Sequence, residues 1–321
     1  MTIIAQALPL SSWHKLRRKF RLNISLSTFL QLRFNLFVMS HSPIWISRSY
    51  IWVLARLYFL CRPGQVKRIR KNIAKALGDR TRSEVDKITR GVIKGTIQHY
   101  QEKMINGFLP MPKFRKLLVS KVVFDGCEQV LQDALREGRG VIIASGHYGA
   151  LEFLPIYLAV RKYGIATLAK FATEKLKNII VPRANGDGLE IVVPGNGTNV
   201  LREASKALSQ NKIFVTQCDE TDAWRTDNKV RMDFLGTRIH PDRMLNVLCK
   251  RTGAVLLFGV LHRESKKEYK LFLHRLPCEG NVPTNVQTLK LLEGYIYKHP
   301  EQWYEWKKYD DFGREGKRTT Q

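Results

Sequence analysis

The most constraining feature is a repeated pattern downstream of about residue 120. Short, mostly apolar strand-like runs (122–124, 141–145, 165–169, 191–193, 213–217, 255–261 and 270–273) alternate with segments of helical periodicity (128–136, 150–163, 199–209, 243–252 and 287–298). Runs this short and this apolar read as strands buried on both faces. Helices falling between them must cover those faces. The expected fold class is therefore α/β, with a mixed, mostly parallel central sheet flanked by helices.

Upstream the pattern is helical. Ile69, Ile73, Ala74 and Leu77 share one face of a segment that stops at Gly78. Thr81-Arg-Ser-Glu84 is a capping box opening a helix through Val85, Ile88, Val92 and Ile93. Pro110 and Pro112 then break the chain. This divides the sequence into a basic, apolar attachment region (1–62), a catalytic-type domain with a helical lead-in (63–310, lead-in 63–112), and a polar tail (311–321).

Charge narrows the partners. The chain carries 54 Lys and Arg against 28 Asp and Glu, a net +26, and fourteen of the bases precede the first acid, Asp79. Such a surface attracts nucleic acid, anionic lipid or an acidic protein. No secretory signal is expected, because 1–10 is apolar without preceding bases and the bases follow at 15–21. No spanning helix is expected either: 43–61 contains Ser47, Arg48, Ser49 and Arg56. As a helix, that stretch sets Arg48 and Arg56 about 80° apart on one side. Trp45, Ile46, Trp52, Val53 and Phe59 would lie opposite, the layout of an interfacial membrane helix. Cys61, Cys127, Cys218, Cys249 and Cys278 have no metal or disulfide spacing and read as reduced thiols.

His147 stands just past an apolar run, between Gly146 and Gly149, where a strand would turn into a helix. Loops at the carboxyl ends of sheet strands are where α/β proteins place their chemistry. Glu152 follows five positions later, and the glycines allow a turn in which the two meet. A carboxylate on one imidazole nitrogen would leave the other free to take a hydroxyl proton. Of the two His-x4-Glu spacings in the chain, the second, His274 with Glu279, lies within a strand-like run and is interrupted by Pro277. The residues alone leave open a structural capping role for His147.

The segment Ser145-Gly-His-Tyr-Gly-Ala-Leu-Glu152 resembles the His-x4-Asp/Glu motif of the lysophospholipid acyltransferase superfamily, and within it the lipid A late acyltransferase branch. Lys71-Asn-Ile-Ala-Lys-Ala-Leu77, Phe234-Leu-Gly236, Arg251-Thr-Gly-Ala254 and His299-Pro-Glu-Gln-Trp303 with Trp306 are similar to that branch in the same order. The resemblance covers about residues 50 to 310 and implies a glycerolipid acyltransferase-like sheet. It implies His147 as general base and Glu152 as its orienting partner, with Arg183, Asp219 and Glu220 at the substrate. The donor would be an acyl carrier protein or coenzyme A thioester, the acceptor a hydroxyl of a lipid A precursor or related anionic lipid. No metal or cofactor is implied. The expected place is the cytoplasmic face of a bacterial inner membrane. Cys218 stands where the branch often has Pro, and Lys307-Lys-Tyr-Asp-Asp311 replaces its basic tail.

Two other readings compete. A glycerophospholipid or ornithine-lipid acyltransferase would share the dyad and differ in acceptor. A nucleic-acid binder would account for the charge, but no nucleic-acid motif is present and the bases sit beside Trp- and Leu-rich stretches, which suit anionic lipid better.

Overall fold

The structure, a computed structural model, describes residues 25–312 apart from 172, 196, 221–224, 266 and 279. The readings of 1–10 and 15–21, and most of the polar tail, lie outside the described residues.

Seven strands form the central sheet: β1 (Val122–Val123), β2 (Val141–Ser145), β3 (Ile165–Leu168), β4 (Leu189–Val192), β5 (Ile213–Gln217), β8 (Val255–Arg263) and β9 (Tyr269–Leu276). Their spatial order is β1-β9-β8-β2-β5-β3-β4, parallel throughout except where β8 pairs with β9. Strand β2 shows why the apolar runs are continuous. Ile142 and Ala144 enter the apolar layer beneath α10 (Val200–Ser209) and α12 (Thr284–Lys298), while Val141 and Ile143 enter the opposite layer beneath α6 (Met111–Lys121), α7 (Glu128–Arg136) and α8 (Leu154–Val160). Successive side chains point to opposite faces, and both faces are covered.

Three features depart from the sequence reading. A separate hairpin, β6 (Met232–Phe234) and β7 (Thr237–Ile239), turns on Leu235 and Gly236, both at positive φ (51° and 71°). That is the twist a two-residue hairpin loop requires. The segment 150–163 is not one helix: a 3₁₀ turn at Leu151–Phe153 precedes α8. Helix α9 (Glu174–Asn185) was not anticipated, and Pro182 lies inside it. At the far end α13 (Tyr309–Phe312) buries Tyr309 and Phe312.

Upstream, α1 (Leu26–Leu30), α2 (Arg33–His41) and α3 (Ile44–Leu60) pack on α5 (Arg82–Phe108) through a third apolar cluster. Helix α4 (Pro63–Ala76) lies between α3 and α5 in sequence, and the expected capping box opens α5 at Thr81 and Glu84. Helix α3 buries Ser47, Ile51, Ala55 and Phe59, one stripe at four-residue spacing. Trp45, Trp52, Val53, Leu57 and Leu60 face outward. The expected two-arginine stripe does not form. Arg48 turns inward, its guanidinium 3.4 Å from the Tyr269 hydroxyl, and Phe59 is core. Arg56 alone lies on the outer face, 5.1 Å from the Trp52 ring centre. Among the described residues no helix is long and apolar enough to cross a membrane.

Candidate active site

His147 is set by strand register. Strands β2 and β5 pair in parallel, with Ser145 opposite Gln217. Two residues further along each chain, at the carboxyl edge of the sheet, His147 therefore meets Asp219. Between them the Cys218 amide donates to the Ser145 carbonyl (2.6 Å), carrying the pairing past the strand ends. Behind β5, Arg225 donates to the Gln217 carbonyl (2.7 Å) and forks onto the buried Asp242 carboxylate. The glycines are required on the other side of the turn. A Cβ on Gly146 would fall 2.5 Å from Leu292, and one on Gly149, at φ +58°, would fall 2.1 Å from the Leu261 carbonyl oxygen.

Asp219 is wholly enclosed and receives four hydrogen bonds. His147 Nδ1 lies 2.9 Å from Oδ1, the His147 amide reaches both oxygens (3.1 and 2.9 Å), and Trp303 Nε1 donates to Oδ2 at 2.8 Å. Burial opposes the charge on Asp219, yet the His147 charge and these donors hold its pKa below the ordinary carboxylate value. For His147 the balance runs the other way. Burial would lower its pKa, but the charge and hydrogen bond of Asp219, aided by Glu305 and Glu220, raise it to about 9. An ionised carboxylate only accepts, so Nδ1 carries the proton in both states and Nε2 is the basic atom. The side chain is 19% exposed, and it lines a cavity of about 290 Å³.

The expected hydrogen bond from His147 to Glu152 is not present. The φ of Gly149 and the 3₁₀ turn redirect the chain, and strand register delivers Asp219 to the imidazole instead. Glu152 still lines the same cavity, with its carboxylate 3.8 Å from both His99 Nε2 and Lys103 Nζ. Burial, then Lys103, Arg263 and His147, hold His99 far below the ordinary histidine value, so it is neutral and its approach to Glu152 is no ion pair. The Glu152 carbonyl accepts from Asn106 Nδ2 (3.1 Å).

His99, Lys103 and Asn106 come from α5, part of the helical lead-in, and sequence reading missed them. The available signal was their spacing of four and three, which sets them on one helical face. A buried fork from Arg263 to Glu102, 2.7 Å at both oxygens, ties α5 to the end of β8. Gly95 lets α5 press on the segment after α12, where a Cβ would lie 2.0 Å from the Glu301 carbonyl oxygen.

That segment, 299–306, is the clamp over the site. Trp303 bridges to Tyr148, Gly149 donates to the Gln302 carbonyl (3.0 Å), and Tyr304 donates to the His147 carbonyl (3.1 Å). The Tyr304 ring stacks on His99 at 3.8 Å and stands edge-on to His147 at 5.6 Å. Asn72, buried on α4, donates to the Trp306 carbonyl (2.7 Å), so the basic helix and the tryptophan segment brace each other.

Arg183 and Glu220 also line the cavity. Arg183 donates to the Leu109 carbonyl and lies 5.6 Å from the Phe114 ring centre, while its Nε is buried without a partner. Away from the polar mouth the cavity is walled by Leu151, Ile156, Leu168, Leu176, Ile180 and Ile191. His274, the other spaced histidine, lies in β9 and meets the Tyr295 hydroxyl at 2.8 Å; Glu279 is outside the described residues. Among the described residues no group of three or more His, Cys, Asp or Glu is placed to hold a metal.

A parallel sheet that presents a carboxylate-held imidazole to a cavity with an apolar arm defines a site able to deprotonate one group beside an aliphatic chain. The model of the bacterial lipid A biosynthesis acyltransferases matches residues 14–308, and the chain belongs to that family. It is thus an acyltransferase. No curated protein gives a significant match.

Proposed function

We propose that the protein moves a fatty acyl chain from an acyl carrier protein or coenzyme A thioester to a hydroxyl of a lipid A precursor or a related anionic lipid. The observation that carries this reading is His147 lining the cavity while Asp219 holds its Nδ1, which leaves Nε2 as the basic atom. Neutral His147 takes the hydroxyl proton as the oxygen attacks the thioester carbonyl carbon. The C–O bond forms, the C–S bond breaks, and the imidazolium returns its proton to the leaving thiolate. Asp219 stabilises the imidazolium, the role of the carboxylate in hydrolytic triads. The thioester is already activated, so the scheme requires no metal.

In this reading the acyl chain lies along Leu151, Ile156, Leu168, Leu176, Ile180 and Ile191. Arg183, with its unpartnered Nε, binds a donor or acceptor oxygen. Glu152 and Glu220 hold acceptor hydroxyls from the polar mouth. Attachment to the cytoplasmic face of a membrane is supported by α2 and α3. Of twelve large apolar side chains exposed among the described residues, seven (Phe34, Phe37, Trp45, Trp52, Val53, Leu57 and Leu60) fall there, and Leu32 caps the start of α2. Such a contiguous apolar face beside a strongly basic surface fits peripheral binding to anionic lipid.

The test is a single-turnover reaction of detergent-solubilised protein with labelled acyl carrier protein thioester and a lipid A precursor. A product heavier by one acyl group, in an ester stable to neutral hydroxylamine, supports the reading. Failure with every hydroxyl lipid and with both donors sinks it.

A further inference from the structure

When an alcohol attacks a thioester, the carbonyl oxygen gains a negative charge, and donors aimed at that oxygen lower the barrier. The turn that carries His147 has no backbone donor to spare. The His147 amide is spent on Asp219, Tyr148 N–H on the Gly146 carbonyl (2.6 Å), Gly149 N–H on the Gln302 carbonyl (3.0 Å) and Ala150 N–H on the Leu261 carbonyl (2.8 Å). Side chains along the cavity are the remaining source, and its cationic ones are Lys103, Lys170 and Arg183. Arg183 is tied to the Leu109 carbonyl and the Phe114 ring. Lys170 follows β3, two strands from β2 and about 10 Å across the sheet. Lys103 is the one joined to the His147 turn. Glu152, five residues past His147, is fixed to α5 at two points: its carbonyl accepts from Asn106 Nδ2 (3.1 Å), and its carboxylate lies 3.8 Å from Lys103 Nζ. That pair is too long for a hydrogen bond, and the Lys103 ammonium makes none among the described residues, so its three N–H donors are uncommitted. Neutral His99 feels the charges of both Lys103 and His147, which places cation and base around one ring. The neighbouring Glu102, forked by Arg263, locks this turn of α5 to β8.

We propose that Lys103 is a second catalytic residue, whose ammonium donates to the thioester carbonyl oxygen as that oxygen becomes an anion. Glu152, besides meeting acceptor hydroxyls, is the positioning residue that aims it. As the acceptor oxygen bonds to the carbonyl carbon, the π pair of the C=O bond moves onto the oxygen beside the ammonium. On collapse that pair re-forms C=O while the C–S bond breaks, and Lys103 keeps its proton throughout. The second acidic position of the His-x4-Glu spacing thereby acts on the oxyanion side of the reaction, while Asp219 serves the base. The proposal rests on the acyl-transfer reading, but the contact with the carbonyl can be observed without turnover.

The experiment measures kcat and KM for transfer in Lys103→Gln, Lys103→Arg, Glu152→Gln and the double variant Lys103→Gln/Glu152→Gln, each shown to unfold cooperatively. Lys103→Gln should lower kcat by about 10² to 10³ and leave KM within about threefold, the signature of a contact made only in the transition state. Lys103→Arg should recover part of the loss, and the inflection near pH 9 should stay in every variant. Glu152→Gln should cost far less in the Lys103→Gln background than alone, because nothing is left to position. In parallel, the infrared carbonyl band of a carbon-13-labelled acyl carrier protein thioester is recorded on saturated protein without acceptor. The band should lie below its position in water on wild type and return towards it on Lys103→Gln. A wild-type kcat in folded Lys103→Gln, a loss confined to KM, an equal cost of Glu152→Gln in both backgrounds, or a band unmoved by Lys103→Gln overturns the proposal. A wild type that transfers nothing but shows the Lys103-dependent band would instead sink the acyl-transfer reading and leave the contact standing.

Discussion

Exchanging Asp219 for Asn removes one charge from the wholly enclosed partner of His147 while keeping its shape. In the wild type that carboxylate lifts the imidazole from its ordinary 6.5 to about 9, against the opposing effect of burial. This amounts to about 3 kcal/mol in favour of the imidazolium. A base with that pKa is neutral in roughly one molecule per hundred at pH 7. Acyl transfer by wild type should therefore rise about tenfold per pH unit from 6 to 8 and level near 9. Without the charge burial is the largest influence left, opposed only by Glu305 and Glu220, and the inflection in Asp219→Asn should fall well below 9, towards the ordinary value. Its plateau should also drop by about 10² to 10⁴, because Asn neither stabilises the imidazolium nor secures the tautomer. Glu152 is not among the groups that raise His147, so Glu152→Gln should lower the rate without moving the inflection. The assay is kcat/KM for transfer between pH 5.5 and 10, with thioester hydrolysis in enzyme-free controls subtracted. An inflection that stays near 9 in Asp219→Asn would refute the assignment of Asp219 as the partner of His147.

The same pair gives a stability window. The raised pKa of His147 contributes stability that is complete below 6.5 and lost as pH rises through about 9; the lowered pKa of Asp219 contributes above about 3.8 and is lost as pH falls through its folded value. The difference in Tm between wild type and Asp219→Asn should thus peak between pH 4 and 6.5 and shrink above pH 9. Trp303→Phe leaves Asp219 one donor short inside the protein and should cost about 1–3 kcal/mol in denaturant unfolding. Gly95→Ala should cost a similar 1–3 kcal/mol and lower activity as well, since its Cβ displaces the turn that carries Trp303. Replacing Phe34, Phe37, Trp45 and Trp52 together with Ser should abolish sedimentation with anionic vesicles while leaving the unfolding midpoint within a degree or two; sedimentation equal to wild type would separate these helices from membrane binding.

The sheet was legible because its strands are buried on both faces, which leaves mostly apolar runs such as 141–145 and 213–217 that no amphipathic pattern obscures. The hairpin around Leu235 was not, since its strands are three residues each and the turn places a leucine where glycine or asparagine is usual. His147 was legible from its glycine-flanked position beyond an apolar run. Its partner was not, because linear spacing points to Glu152, whereas the contact with Asp219 follows from which strand lies beside β2 and in what register. Once that pairing is known, Asp219 is found by counting two residues past each strand end. Trp303 stood in a segment recognised by resemblance, but its indole donation to Asp219 is a contact across 84 residues. The basic stripe expected on α3 failed for a related reason. Helical spacing fixes which residues share a face, while the packing of Ile51, Ala55 and Phe59 on α5 decides which face is outside.

The most direct test of the central claim is acyl transfer from a labelled acyl carrier protein thioester to a lipid A precursor, comparing wild type with His147→Ala. A fall of about 10² or more, in a variant that still unfolds cooperatively, is the predicted result. Transfer at the wild-type rate by the folded variant would contradict the assignment of His147 as the base.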